Sequence, residues 1–369
     1  MKSLSFKLAA LLLALALLLS GCGVMDLLSL LQEGTGQKLD LFLDLEVIED
    51  MMQLRDFVTE QIGQGKYEFS FQYKGSEPFD PAVIAQMSGS CFVLSIQQGA
   101  AYHISLTRYP GDRIVEAYAS GDTSALSAEE CQALEKAVEM VAQAKENSEN
   151  DWELELQLHD ALARCITYSD APIDYEKPED QPRHVSVIGA LLDGEANCQG
   201  YSDAFYTLAS IAGFQVGRLS VVTSTDPHMV NTICLDGRWY VVDLTYDDGS
   251  DEVISYHLFN AGLDLIGQEY TWAKEVEQHP IAPESDEHSY LIRKELVFTD
   301  MEELADYIAA DWAKQGNTVI HAMLSGEPDS EKLGDFLPDA LDQWGKSYSY
   351  SIWHKSNGTD SFYTVVFKS

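Results

Sequence analysis

Positive charge is scarce in this chain. Its 369 residues carry 23 Lys and Arg against 60 Asp and Glu, a formal net charge of −37. That balance excludes nucleic-acid binding, because phosphate backbones are held by dense Lys/Arg surfaces. It would equally repel anionic lipid headgroups. Cysteine is scarce too: six in the whole chain cannot make a disulfide-built scaffold, so a buried core must carry the fold. No apolar run reaches the ~20 residues a helix needs to span a bilayer. What is present is globular material, 46% hydrophobic and 10% aromatic, so the acidity does not signal disorder. At roughly 150 residues per domain, two or three domains are expected.

Lys2 and Lys7 precede an apolar run from Leu8 to Leu19, and Ser20-Gly21-Cys22 follow. The run has the length of a secretory signal core rather than a membrane span. Leu19-Ser20-Gly21-Cys22 resembles the bacterial lipobox, which implies cleavage before Cys22 and lipidation of its thiol. Loss of Lys2 and Lys7 would take the formal charge from −37 to −39. The expectation is an exported, acidic body held at the membrane through lipid on Cys22, facing away from the cytoplasm. Cys91, Cys131, Cys165, Cys198 and Cys234 remain, an odd number that leaves at least one thiol unpaired unless it pairs between chains.

The organisation expected is a signal peptide (1–21), a tether (22–40), an N-terminal α+β module (41–120), a central domain (121–290) and a C-terminal α+β module (291–369). Helical spacing runs from Asp50 to Ile62, and aromatics alternate from Tyr67 to Tyr73 as in a strand. Tyr102 to Thr107 and Arg113 to Ala119 read as two more strands around a turn at Tyr109-Pro110-Gly111-Asp112. The last 75 residues repeat this plan at an offset of 250: Asp50/Asp300, Met51/Met301, Leu54/Leu304 and Asp56/Asp306 are identical, and Glu77-Pro78 meets Glu327-Pro328. In the middle, Ser127-Ala-Glu-Glu130 has capping-box spacing, with Cys131, Leu134, Val138 and Val141 on the face behind it. A further helix runs through Trp152, Leu156, His159, Ala163 and Ile166, with His159 packed as a structural residue.

The chemistry concentrates later. Tyr201, Ala204, Phe205, Leu208 and Ala212 mark a buried helical face that stops at Gly213. Cys198 therefore falls in the first turn, where unpaired N–H groups and the helix dipole favour a thiolate. The N–H of Cys198 is the first candidate to hold an oxyanion. Downstream, Asp236-Gly237 between two β-rich runs is a two-residue hairpin turn. The register then sets Leu235 against Arg238 and Val230 against Asp243. His228 and Asp243 become diagonal neighbours on one sheet face, within side-chain reach. The hairpin alone does not bring Cys198 to them. Asp247, Asp248, Asp251 and Glu252 lack calcium-loop spacing and read as a solvated acidic turn. Cys234 reads as core. His184, His257, His279 and His288 show no partner pattern, and no metal or cofactor is expected.

Cys198-Gln-Gly-Tyr201, His228 with Asn231, and Gly237-Arg-Trp-Tyr-Val-Val-Asp243 together resemble the three blocks of the transglutaminase-like superfamily, over roughly residues 152–275. The resemblance implies an α+β, cysteine-protease-like core of helices on an antiparallel sheet. It also implies Cys198 as nucleophile, His228 as general base and then acid, and Asp243 as its orienter. The implied reaction is thiol-based acyl transfer on peptide or protein amides, expected to be hydrolytic. The alternatives are a crosslinking transglutaminase and a non-catalytic surface-binding scaffold. Two features depart from the family: Met229-Val230 stand where an aromatic is common, and no Asn or Gln other than Asn197 lies within ten residues before Cys198 to donate to an oxyanion.

Overall fold

The computed structural model describes residues 45–76, 84, 92–172, 183–223, 227–248, 253–266, 286–326, 332–357 and 359–368. The signal segment, the tether, Cys22, Cys91, Glu77-Pro78, Glu327-Pro328, Asp251, Glu252 and His279 lie outside the described residues. The chain divides into two units, Met1–Ile84 with Val93–Ser105, and Ala85–Phe92 with Leu106–Ser369.

The first unit is built from β1 (Glu46–Ile48), α1 (Met51–Gly63), β2 (Glu68–Tyr73), β3 (Phe92–Gln98) and β4 (Ala101–Thr107), in sheet order β1-β2-β4-β3. β1 runs parallel to β2, and β2 antiparallel to β4. The alternation read in the sequence is the burial pattern: Phe69, Phe71 and Tyr73 point inward. Phe57 of α1 meets Phe69 and Phe71 edge-on at 5.6 and 5.7 Å. Asp50 caps α1 by accepting from the Gln53 N–H at 2.8 Å.

The second unit opens with α2 (Pro110–Ser120), α3 (Ala128–Glu146) and α4 (Asp151–Cys165). The strand expected over Arg113–Ala119 is thus a helix. Pro110 stands at its first turn rather than in a hairpin, a position where its missing N–H costs nothing. Ile114 and Ala117, three apart, are its buried face. The Gly111 N–H donates to Asp203 of the central domain at 3.2 Å, so α2 packs beyond the module boundary expected at 120. The Ser127 capping box is present with both of its hydrogen bonds. The apolar face of α3 is not the expected one, however. Ala133, Ala137, Val141 and Ala144 are buried, and Val138 is 38% exposed. Small side chains let the neighbouring helices approach, and the bulkier ones flank the contact.

A short parallel pair, β5 (Thr167–Tyr168) with β6 (Glu195–Ala196), leads into α5 (Cys198–Ala212). An antiparallel sheet follows: β7 (Gln215–Val222), β8 (Pro227–Leu235) and β9 (Arg238–Val242), in that order. Tyr201, Ala204, Phe205, Leu208 and Ala209 of α5 are fully buried among the other helices and this sheet. α5 is therefore the hub of the core.

The chain continues through α6 (Leu244–Asp247), β10 (Val297–Phe298), α7 (Met301–Ala310), β11 (Val319–Leu324), α8 (Leu333–Asp342), β12 (Tyr350–Ser356) and β13 (Ser361–Phe367). The last sheet has the order β10-β11-β13-β12, with β10 parallel to β11 and β11 antiparallel to β13. These are the order and senses of the first sheet. Asp300 caps α7 through the Glu303 N–H at 2.9 Å, as Asp50 caps α1, and Leu54 and Leu304 are both fully buried. The fold is α+β. Among the described residues no helix is long and apolar enough to cross a membrane.

Candidate active site

The helix that carries Cys198 begins there because Asn197 caps it. The Asn197 backbone is extended, and its Oδ1 accepts from the N–H groups of Gln199 (3.0 Å) and Gly200 (3.2 Å). The cap leaves the N–H of Cys198 unclaimed. A Cβ on Gly200 would lie 2.4 Å from the His184 carbonyl oxygen, so only glycine allows the first turn to seat against that backbone. The far end stops at Gly213, left-handed with φ +110°. Cys198 is half-buried and packs against Tyr109, Val185 and Met229.

The hairpin forms in the expected register. Asp236 (φ 50°) and Gly237 (φ 79°) make the turn, and Leu235 faces Arg238, Ile233 Tyr240 and Asn231 Val242. One step further along, His228 Nε2 lies 2.7 Å from Asp243 Oδ2. Asp243 has left the sheet and caps α6, its Oδ1 accepting from the Tyr246 N–H at 3.1 Å. Because Nε2 is committed to Asp243, Nδ1 is the ring nitrogen left for a third group. The Cys198 sulfur acts on the same ring and helps raise its pKa. Burial alone would depress the His228 pKa. The Asp243 carboxylate, through charge and hydrogen bond, and the Cys198 sulfur outweigh it and push the ring up to about 10. The cationic imidazole is therefore the favoured state near neutral pH.

Several supporting contacts were not evident in the sequence. The Tyr246 ring stacks on the His228 imidazole at 4.8 Å and 20°. Asn231, on the face of β8 turned to the helix, donates to the carbonyls of Ser202 and Gly217, both at 3.0 Å, and so ties β8 to α5 and β7. Tyr109 accepts from Gln199 Nε2 at 3.1 Å and donates to Met229 Sδ at 3.4 Å. Arg218 of β7 pairs with the buried Asp203 of α5 at 2.9 Å and with Asp112, under the rings of Tyr109 and Tyr206. Asp203 also accepts from the Val187 N–H at 2.9 Å. The one available signal was an arginine among the valines and leucine of a strand in a base-poor chain.

The acidic turn differs from its expected form. Asp247 is fully buried, 3.3 Å from His159 Nε2 and 3.1 Å from His257 Nδ1. Burial works against its charge, but the two histidines beside it hold its pKa down at about 2. His159 is buried as expected, but it sits between Asp160 and Asp247 rather than in an apolar face. His257 and His288 likewise have acidic neighbours that sequence spacing did not reveal: Asp247 for the first, Asp236 and Glu287 for the second. Cys131, Cys165, Cys198 and Cys234 are free thiols, and Cys234 is only half-buried. Among the described residues no group of three His, Cys, Asp or Glu is arranged to hold a metal ion.

Residues 137–244 match the family model of the transglutaminase-like superfamily. Cys198, His228 and Asp243 all fall inside the matched stretch. That segment of the chain is a transglutaminase-like domain. No curated protein matches the chain. Among solved structures, one described as "Crystal structure of a TGase" is 13% identical with a TM-score of 0.26, over 56% of this chain and 60% of that one. Another, "The Crystal Structure of a Putative Cysteine Protease from Cytophaga hutchinsonii", is 10% identical with a TM-score of 0.27, over 48% of this chain and 64% of that one. The chain thus spans less than two thirds of either. Likeness at that level assigns this chain no activity.

Proposed function

We propose that the protein is a thiol-dependent acyl-transfer enzyme acting on peptide or protein amides, with Cys198 as nucleophile, His228 as base and acid, and Asp243 as orienter. The observation that carries the reading is one imidazole shared between a buried carboxylate on Nε2 and a thiol at a helix N-terminus. The Cys198 thiolate attacks the amide carbonyl carbon and forms a C–S bond, while its N–H and the helix start face the developing oxyanion. The C–N bond then breaks, and the departing amine takes the proton of the His228 imidazolium. Water, deprotonated by the now neutral ring, attacks the thioester, and the C–S bond breaks to release the acid and restore the thiolate beside the imidazolium.

Hydrolysis is the outcome favoured here over transfer to a second amine. The assay is incubation with a glutamine-containing peptide and a labelled primary amine. Fragments or ammonia without incorporation are expected. Incorporation would assign crosslinking, and no turnover of any amide would leave a binding scaffold.

The same proposal extends to location and origin. Export with lipid at Cys22 is supported by Leu19-Ser20-Gly21-Cys22 behind a short apolar run, and Cys22→Ser should leave the protein unprocessed or released. The two flanking sheets are proposed to be copies of one module, supported by their shared strand order and by Asp50 and Asp300 in the same capping role.

A further inference from the structure

A cavity of about 220 Å³ lies where the C-terminal sheet meets the central domain, and Tyr246, Tyr256, His257, His321, Trp353 and Lys355 are among its walls. Among the described residues no Asp or Glu lines it, in a chain where 60 of 369 residues are acidic. Among the described residues Lys355 is the one Lys or Arg in its lining. The volume falls short of the roughly 300–1,000 Å³ of drug-sized sites, and suits one residue-sized group.

The polar groups are ordered by their donor capacity. Lys355 Nζ lies 3.2 Å from His257 Nε2. An ammonium can only donate, so this ring nitrogen accepts, and His257 carries its proton on Nδ1, towards Asp247. Behind it lies the Asp247 carboxylate, 3.1 Å from His257 Nδ1 and 3.3 Å from His159 Nε2. Burial depresses the His321 pKa to about 4, which makes that wall neutral. The positive charge offered to the cavity is that of Lys355, framed by aromatic rings.

The cavity also touches the candidate active site through Tyr246. The Tyr246 ring stacks on His228 at 4.8 Å and lies under the Lys355 ammonium at 4.5 Å. The two distances together set the largest separation that ring and ammonium can have. It corresponds to about three residues of extended chain, at ~3.3–3.6 Å each.

We infer that this cavity is a subsite for a free carboxylate, the carboxyl terminus of a peptide held by Lys355 between aromatic walls, so that the amide attacked lies within a few residues of that terminus. The placement of the amide rests on the acyl-transfer reading; the carboxylate preference does not. The probes are N-benzoylglycine and its neutral primary amide, titrated by calorimetry into the full chain carrying Cys198→Ala. The acid should bind at least tenfold more tightly than the amide. Lys355→Met should abolish that preference and Lys355→Arg should keep it. Equal affinities, no binding of either probe, or a preference that survives Lys355→Met would each overturn the inference. With the native thiol, Lys355→Met should raise KM about tenfold for a peptide ending in a free carboxylate and leave its amidated counterpart unchanged. If no peptide is turned over, the acyl-transfer reading fails, while the probe titration alone still decides the carboxylate site.

Discussion

The Asp243 carboxylate is divided between two duties: Oδ2 holds His228 Nε2 at 2.7 Å, and Oδ1 caps α6 through the Tyr246 N–H at 3.1 Å. One side chain thus fixes the imidazole and, through Tyr246, the aromatic ring stacked on it. Orientation of the base and the start of the following helix are set together.

Asp243→Asn separates the two. The amide oxygen can still cap α6, but the charge that raises the His228 pKa is gone. Turnover should fall by on the order of 10²–10⁴-fold with the fold intact. The alkaline limb of the pH–rate profile, set by loss of the imidazolium from about 10, should move down by more than one pH unit. An unmoved limb would show that Asp243 does not govern the ring.

Glu155 offers a test of linkage away from the site. It is fully buried, its Oε2 accepts from Asn260 Nδ2 at 2.8 Å, and burial raises its pKa from 4.5 to about 8 against the pull of that bond and of His159. A raised pKa means the folded state holds the proton more tightly than the unfolded chain. Stability is then greatest below pH 4.5 from this group, and is lost as pH climbs towards 8. Glu155→Gln should remove that loss, a gain of about 1–3 kcal/mol at pH 8 relative to pH 5 in urea unfolding. A pH dependence identical to wild type would refute the assignment.

Arg218 and Asp203 form a buried pair at 2.9 Å that joins β7 to α5 beneath Tyr109. Arg218→Met strands the Asp203 charge and should cost about 3–5 kcal/mol. In a double-mutant cycle with Asp203→Asn, the coupling should exceed about 1 kcal/mol. Additive effects would mean the two do not act as a pair.

Two glycines at the ends of α5 differ in kind. At Gly200 an added Cβ meets the His184 backbone at 2.4 Å, whereas at Gly213 there is open space and the cost comes from φ +110° alone. Gly200→Ala should destabilise by about 1–3 kcal/mol and displace the first turn, with a loss of turnover. Gly213→Ala should cost about 1 kcal/mol and leave turnover near wild type.

How much of this was legible in the sequence depended on range. The Asp236-Gly237 turn fixed the register that joins His228 to Asp243, because two-residue turns dictate pairing over the next several residues. Gly213 and the Ser127 box marked their helix ends for equally local reasons. α2 was misread because Ile114, Val115 and Tyr118 favour strands, while tertiary packing on α5 and Pro110 at the first turn decide for helix. The burial of Asp247 depends on His159, 88 positions earlier in the chain, and the place of Lys355 on β12 depends on how the last sheet docks. Neither leaves a periodic trace. Cys198 reached His228 only through the resemblance, since no local rule links a helix start to a hairpin 30 residues away.

The central claim is that Cys198 is an activated thiol, and the chain supplies its own controls in Cys131, Cys165 and Cys234. Site-resolved iodoacetamide labelling of the native protein at pH 6, read by mass spectrometry, compares all four in one tube. Cys198 should react at least about tenfold faster than each of the others, and His228→Ala should erase that advantage. Labelling of Cys198 at the rate of the other thiols, or indifference to the loss of His228, would contradict the account.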